Sequence, residues 1–273
     1  MPLGNDVLGE ECPGRMEHSP ATPTHSPIRQ TMSEDERELR IQLAACYRLM
    51  AHYGVDDLTY NHLSARVPSQ PDTMLIKPSG MMFGEVTATS LLQYYFDGTP
   101  VGDGPPLAGG ALVIHAGILA ARPDLNAVFH THTPANIGVA SQKHGLLMIN
   151  QHAIRFHNRI GYHSFSGFEF NLSQREPLLK SLEGYRVTLL RNHGALVCGR
   201  TVPEAFVDHH ALEFACRGQI ATLSQGDEYT LITEEVAACG ASQINFDDPH
   251  KTGARDWPAC IRLAYRLDPS FAD

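Results

Sequence analysis

The sequence holds 15 histidines, and ten of them, at 115, 130, 132, 144, 152, 157, 163, 193, 209 and 210, fall between positions 115 and 210. Imidazole titrates near neutral pH and is the commonest metal ligand, so this stretch is where chemistry is to be sought. In Phe129-His130-Thr131-His132 the two imidazoles stand two apart in a segment of strand character. A period of two puts both on one face, close enough to share an ion. The plainer alternative sends one ring into the core and the other to the surface. A third ligand would decide, and Arg191-Asn192-His193-Gly194 offers one. His193 ends an apolar run, and Gly194 allows the chain to turn sharply and leave the imidazole at a strand edge. Three neutral nitrogens leave a coordination position open, so a divalent metal there polarises a carbonyl or an enediolate as a Lewis acid. Zinc is the first candidate, with manganese or iron behind it; iron on three histidines can also activate oxygen.

The elements that must position these rings can be read in outline. Of 273 residues, those from 1 to 32 hold five of the 18 prolines and no apolar period, which reads as a flexible tail. Ser33 and Glu36 form a capping box for a helix over about 33 to 53, stopped by Gly54. Strand character follows at His62 to Val67 and Met74 to Ile76, then a tight turn at Pro78-Ser79-Gly80. After Gly109-Gly110 a helix fits Ala111 to Ala121, a strand Asn126 to His132, a helix Ala135 to Lys143 and a strand Leu146 to Ile149. Ser173 with Glu176 caps another helix, Val187 to Asn192 and Ala195 to Cys198 are apolar strands, and Thr201 with Glu204 opens a long helix to about Ser224. This gives a main domain over 33–226. An extension over 227–273 is expected to pack on that domain or on a neighbouring subunit. No Gly-x-Gly-x-x-Gly turn marks a dinucleotide fold.

Composition narrows the partners. Lys and Arg number 21 against 30 Asp and Glu, a formal charge of −9, and the basic residues are scattered, which argues against nucleic acid. No stretch approaches the roughly 20 apolar residues of a membrane span, and the first residues lack the pattern of a secretory signal. The six cysteines lie far apart without a Cys-x-x-Cys pair, so reduced thiols and a cytoplasmic location are expected.

An ordered series of motifs then carries a resemblance: Asn61-His62-Leu63-Ser64-Ala65-Arg66, Lys77-Pro78-Ser79-Gly80, His115, Ala121-Arg122-Pro123-Asp124, His130-Thr131-His132 and Arg191-Asn192-His193-Gly194. From about Ala45 to Leu223 the chain resembles the class II aldolase and adducin family. The resemblance implies an α/β fold of three layers, α/β/α, around a central, largely antiparallel sheet. It places His130, His132 and His193 on the three metal-binding positions of the family's aldolases, and it implies a homo-oligomer, a tetramer, acting on a small carbonyl substrate.

The departures are as informative. The family's acid–base glutamate falls on Ala111, its two phosphate-holding serines on Gly109 and Gly110, and its phosphate-binding asparagine on His62. A typical sugar phosphate is therefore not the expected substrate, although backbone N–H groups at the start of the 111–121 helix can receive a carboxylate. His115, one turn after Ala111, is the candidate acid, base or fourth ligand, or a packing residue. Tyr162, expected in a loop after Gly161, is the second catalytic candidate, or an interface contact. Substrate contacts are assigned to His62, Ser64, Ser79, Gly80, Gly109 and Gly110. Of His209 and His210 only one can face inward, and His210 is expected there. Three functions follow: metal-dependent lyase-type aldol or enolate chemistry, a non-catalytic adducin-like binding module, or an iron-dependent oxygenase on the same triad.

Overall fold

The computed structural model describes residues 32–226, 228–244, 248 and 251–273. The chain divides at Thr31/Met32; the tail expected over 1–32 lies, apart from Met32, outside the described residues. Seven strands, β1 (His62–Val67), β2 (Gln70–Ile76), β3 (Leu92–Tyr95), β4 (Ala127–Thr131), β5 (Ile160–His163), β6 (Val187–Leu190) and β7 (Gly194–Gly199), form one sheet in the order β3-β2-β1-β4-β7-β6-β5. Every pairing is antiparallel except β5 with β6. β4, β6 and β7 are buried along their whole length because helices cover both faces, and so they read as apolar runs rather than alternations.

On one face α1 (Glu34–His52), α3 (Pro134–Ser141) and α6 (Val202–Leu223) close a core that includes Leu43, Tyr47, Phe129, Val197, Phe206 and Leu212. On the other, a π-helical turn (Ala111–Ala116) runs into α2 (Gly117–Ala121) and packs with α5 (Arg175–Ser181) around Ile114, Ile118, Val128, Leu178 and Leu196. The three layers match the expected α/β/α architecture. Ser33 caps α1 by accepting from the Glu36 N–H at 3.2 Å, while the Glu36 carboxylate pairs with Arg40 Nε rather than completing a box. Beyond 227, α7 (Glu234–Ser242) lies on α4 (Gln151–Ile154), α8 (Trp257–Leu267) lies on α1, and Phe271 is fully buried.

Four local expectations change. The segment 146–149 is not a strand: the Leu146 and Leu147 N–H groups donate to the Tyr162 hydroxyl and Gln219 Oε1, side-chain partners that leave no ladder to build. Ile160–His163, expected as loop, is the short parallel strand β5; Gly161 belongs there because a Cβ would lie 2.5 Å from the Ser181 carbonyl. Ser173 does not cap α5: it lies inside a 3₁₀ turn, Leu172–Gln174, that leads into α5 and is capped by Asn171, whose side chain takes the Ser173 N–H, while α5 itself has no side-chain cap. The helix over 111–121 forms, but its first half is π-wound, with the Leu112 carbonyl taken by the Arg175 guanidinium at 2.8 Å.

Candidate metal centre

The edge of the sheet where β4 ends and β1 and β7 begin collects the histidines. His62 stands directly opposite His130, and Thr131 opposite Ala195, so the hairpin between β6 and β7 swings His193 in beside His130 and His132. Both neighbours of His193 are dictated by this turn. Asn192 takes a left-handed φ of +58°, which Asn tolerates, and a Cβ on Gly194 would sit 2.3 Å from the Thr131 carbonyl oxygen.

The result is convergence of three ring nitrogens. His132 Nε2 lies 2.8 Å from His130 Nε2 and 3.1 Å from His193 Nε2. Each ring's Nδ1 is turned outward to an acceptor: the Ala195 carbonyl at 3.1 Å from His130, Asp57 Oδ2 at 3.4 Å from His132, and Glu169 Oε2 at 3.3 Å from His193. The last pair has the distance of an ion pair without hydrogen-bond alignment, so His193 Nδ1 is buried without a bonded partner. With Nδ1–H directed outward, the Nε2 atoms present lone pairs to one another, an arrangement that needs a proton or a cation among them. Nitrogens on one zinc at about 2.0–2.1 Å stand roughly 3.3 Å apart, so the three rings fit such an ion with small movements. Burial, and then the neighbouring imidazoles, hold His130 well below the ordinary histidine value, which keeps it neutral and ready to ligate. Burial and His193 lower His132 against the opposing pull of Asp57.

A second pair adjoins the triad. His62 Nδ1 lies 2.6 Å from His115 Nε2, and His115 Nδ1 lies 2.6 Å from Ser64 Oγ. The π-helical turn brings His115 down onto β1, where it is fully buried with both nitrogens engaged, so it reaches the site only through His62. Burial pushes His115 down to about 3 and, with His115 next in weight, lowers His62 well below its ordinary value. A Cβ on Gly110 would stand 3.8 Å from His62 Nε2, so the bare Gly109-Gly110-Ala111 segment faces that nitrogen; Gly109 itself has a left-handed φ of +59°. Ser79 and Gly80 form the expected turn, with the Met81 N–H on the Pro78 carbonyl. They stand exposed at the same sheet edge, beyond β2 and one strand out from His62.

Tyr162 is not brought to this site. It pairs with Leu189 on the opposite pleat, packs into the core beneath α6, and its hydroxyl accepts the Leu146 N–H at 3.0 Å. The inward histidine of α6 is His209 rather than His210: its Nε2 bonds Thr131 Oγ1 at 2.7 Å, while His210 is half-buried and rests against Phe214. Sequence reasoning missed the supports. Glu169, Asp57 and Asn61, whose Oδ1 accepts the His132 N–H at 3.0 Å, sit on loops without periodicity. Thr133, which donates to Glu213 and caps α3, was signalled by the following Pro134.

Residues 41–220 match the family model described as Class II Aldolase and Adducin N-terminal domain. An aldolase II superfamily protein from Pseudomonas syringae is 41% identical, with a TM-score of 0.86 over 91% of this chain and all of that one. A Caulobacter vibrioides protein assigned by name to the class 2 aldolases is 36% identical over 93% of this chain and 98% of its own. Alpha-adducin from Rattus norvegicus is 38% identical over 69% of this chain, which spans only 26% of adducin's length. With its sheet, its histidine edge and these matches, the chain belongs to the class II aldolase and adducin family.

Proposed function

We propose that His130, His132 and His193 hold one divalent cation, zinc first, and that the protein carries out lyase-type aldol or enolate chemistry on a small oxygenated carbonyl compound that is not a typical sugar phosphate. The observation that carries this reading is the inward convergence of three Nε2 atoms whose Nδ1 partners all lie outside. When bound, the cation supplies Lewis acidity toward a substrate oxygen. His62 replaces the acid–base glutamate that Ala111 cannot provide. In one hydrogen-bond arrangement Ser64 O–H donates to His115 Nδ1 and His115 Nε2–H donates to His62 Nδ1, so His62 Nε2–H is a hydrogen-bond donor to a substrate oxygen. In the other, His62 Nδ1–H donates to His115 and His115 to Ser64, so Nε2 carries a lone pair and accepts a proton. His115 and Ser64 are thus positioning residues, and Gly109, Gly110, Ser79 and Gly80 border the substrate.

The homo-oligomer implied by the resemblance, a tetramer, belongs to this proposal, as does a cytoplasmic location. No helix among the described residues is long and apolar enough to cross a membrane. The five cysteines among the described residues are unpaired, which suits a reducing compartment. The test is elemental analysis of protein purified without chelator. About one ion per chain, lost in the His130→Ala, His132→Ala double variant, is expected. Absence of metal would overturn the proposal and favour the second reading, a non-catalytic adducin-like module, which the bare Gly109-Gly110-Ala111 segment and the alpha-adducin match support. Iron would turn the assays toward oxygenase chemistry.

A further inference from the structure

Between β5 and α5 the chain presents three phenyl rings in a row that starts at the histidine triad. The Phe165 ring lies 6.1 Å from His193, Phe168 lies 6.2 Å from Phe165, and Phe170 stacks on Phe168 at 5.5 Å with 19° between the planes. They are 46%, 68% and 62% exposed, a large apolar outlay beside a polar centre. The row is held in place. Glu169, between the two outermost rings, is only 4% exposed: its carboxylate reaches His193 Nδ1, and its carbonyl stands 4.0 Å from the Cβ position of Gly110. The Phe170 N–H donates to the Phe168 carbonyl at 2.8 Å, a tight turn that stacks the two rings. The far end is tied by the Asn171 N–H donating to Gln174 Oε1 and the Ser173 N–H donating to Asn171 Oδ1.

Among the described residues, the side chains in the same surroundings do not present groups that would receive a phosphate. The wall facing Glu169 is Gly109-Gly110-Ala111, without a polar side chain. The cations around the edge are committed to carbonyl oxygens: Lys77 Nζ to Thr59, Arg175 to Leu112, and Arg191 to Ala140 and Gln142.

We propose that segment 164–172 is an apolar subsite, and that the substrate is a carbonyl or hydroxy-acid compound whose oxygens meet the triad and whose aromatic or flat apolar arm lies along Phe165 and Phe168. This rests on the reading of the triad as a metal centre. An oxygen-bearing head at His193 leaves its substituent facing Phe165 first, where ring-on-ring contact adds to area burial. The ordered loop makes the contact without a large entropy cost of closing over the ligand.

The test uses the zinc-loaded protein and two ligands with the same chelating group, acetohydroxamate and benzohydroxamate, titrated by calorimetry alongside elemental analysis. Benzohydroxamate is expected to bind about tenfold tighter or better. In the Phe165→Ala, Phe168→Ala variant the ratio should fall toward one with zinc content unchanged, and millimolar inorganic phosphate should not displace either ligand. Because these rings are exposed, the variant keeps its fold; a Phe168→Leu variant with an intermediate ratio would support the same contact. Zinc bound with no phenyl preference, or a preference that survives loss of both rings, overturns this inference alone. Failure to bind zinc overturns the metal reading and this inference with it. A Phe168→Ala, Phe170→Ala variant that changes the molar mass in light scattering and leaves the ratio intact assigns the rings to a second copy and also overturns it.

Discussion

His130, His132 and His193 turn their Nδ1 atoms outward to a carbonyl and two carboxylates and their Nε2 atoms toward one another, whereas His62 and His115 spend their facing nitrogens on each other and on Ser64. The two groups adjoin: the His62 and His130 rings are 5.2 Å apart. Yet one is bonded as a site for a cation and the other as a path for a proton. The difference lies in what stands behind each ring. Behind the triad are a bonded carbonyl and two facing carboxylates, which favour Nδ1–H and free Nε2 as a ligand; behind His62 is another amphoteric ring, which allows either nitrogen to carry the hydrogen.

The sharpest way to break this contrast is to delete one member of each group. His193→Ala should abolish stoichiometric metal, a loss larger than the 10–100-fold that removing an outer partner costs. His62→Ala should keep the metal and lower turnover by roughly 10²–10⁴-fold, the usual worth of a positioned acid or base. Elemental analysis and turnover on the same preparations separate the two. If His62→Ala also empties the site, His62 is a fourth ligand and the two groups are one.

A smaller effect sharpens the role of the outer acceptors. Glu169→Gln keeps the size of the side chain and removes the charge facing His193 Nδ1, and metal affinity measured by chelator competition should weaken about 10–100-fold. Asp57→Asn should weaken it less, because Asp57 is 41% exposed and solvent screens its pull on His132. Equal affinities in all three proteins would remove the acceptors from the argument.

The triad was legible because strand periodicity makes a two-residue spacing a statement about faces, and because Gly194 after His193 signals a close approach that the Thr131 carbonyl indeed requires. The same periodicity defeats Tyr162. Once Ile160–His163 is a strand paired with β6, Tyr162 alternates to the face opposite His130, a fact invisible while the segment is read as a loop. His115 was located on the correct helix, but its partners, His62 and Ser64, come from a strand some fifty residues away, and only the sheet order brings them under it. Glu169 and Asp57 left no trace because loop residues carry no period. The choice between His209 and His210 turned on the facing of α6, which Thr131 settles by taking the His209 ring.

His209 also offers the mildest test, of the far side of β4, the strand that bears His130. Burial pushes it down to about 3, with His210 and Arg217 adding to the shift, so the folded protein excludes the proton that the unfolded chain binds below about 6.5. The unfolded state therefore holds more protons between these values, and stability is present in full above about 6.5 and lost as pH falls toward 3. From this one ring the loss between pH 7 and pH 5 is about 2 kcal/mol. His209→Gln should lower stability at pH 7, since Thr131 Oγ1 loses its imidazole partner, and should flatten the decline toward pH 5 by that same amount in denaturant titrations. His115, pushed down by the same burial, keeps its own acid dependence in both proteins. The difference between the two slopes therefore isolates His209, and parallel slopes would mean that its ring gains access to protons in the folded state.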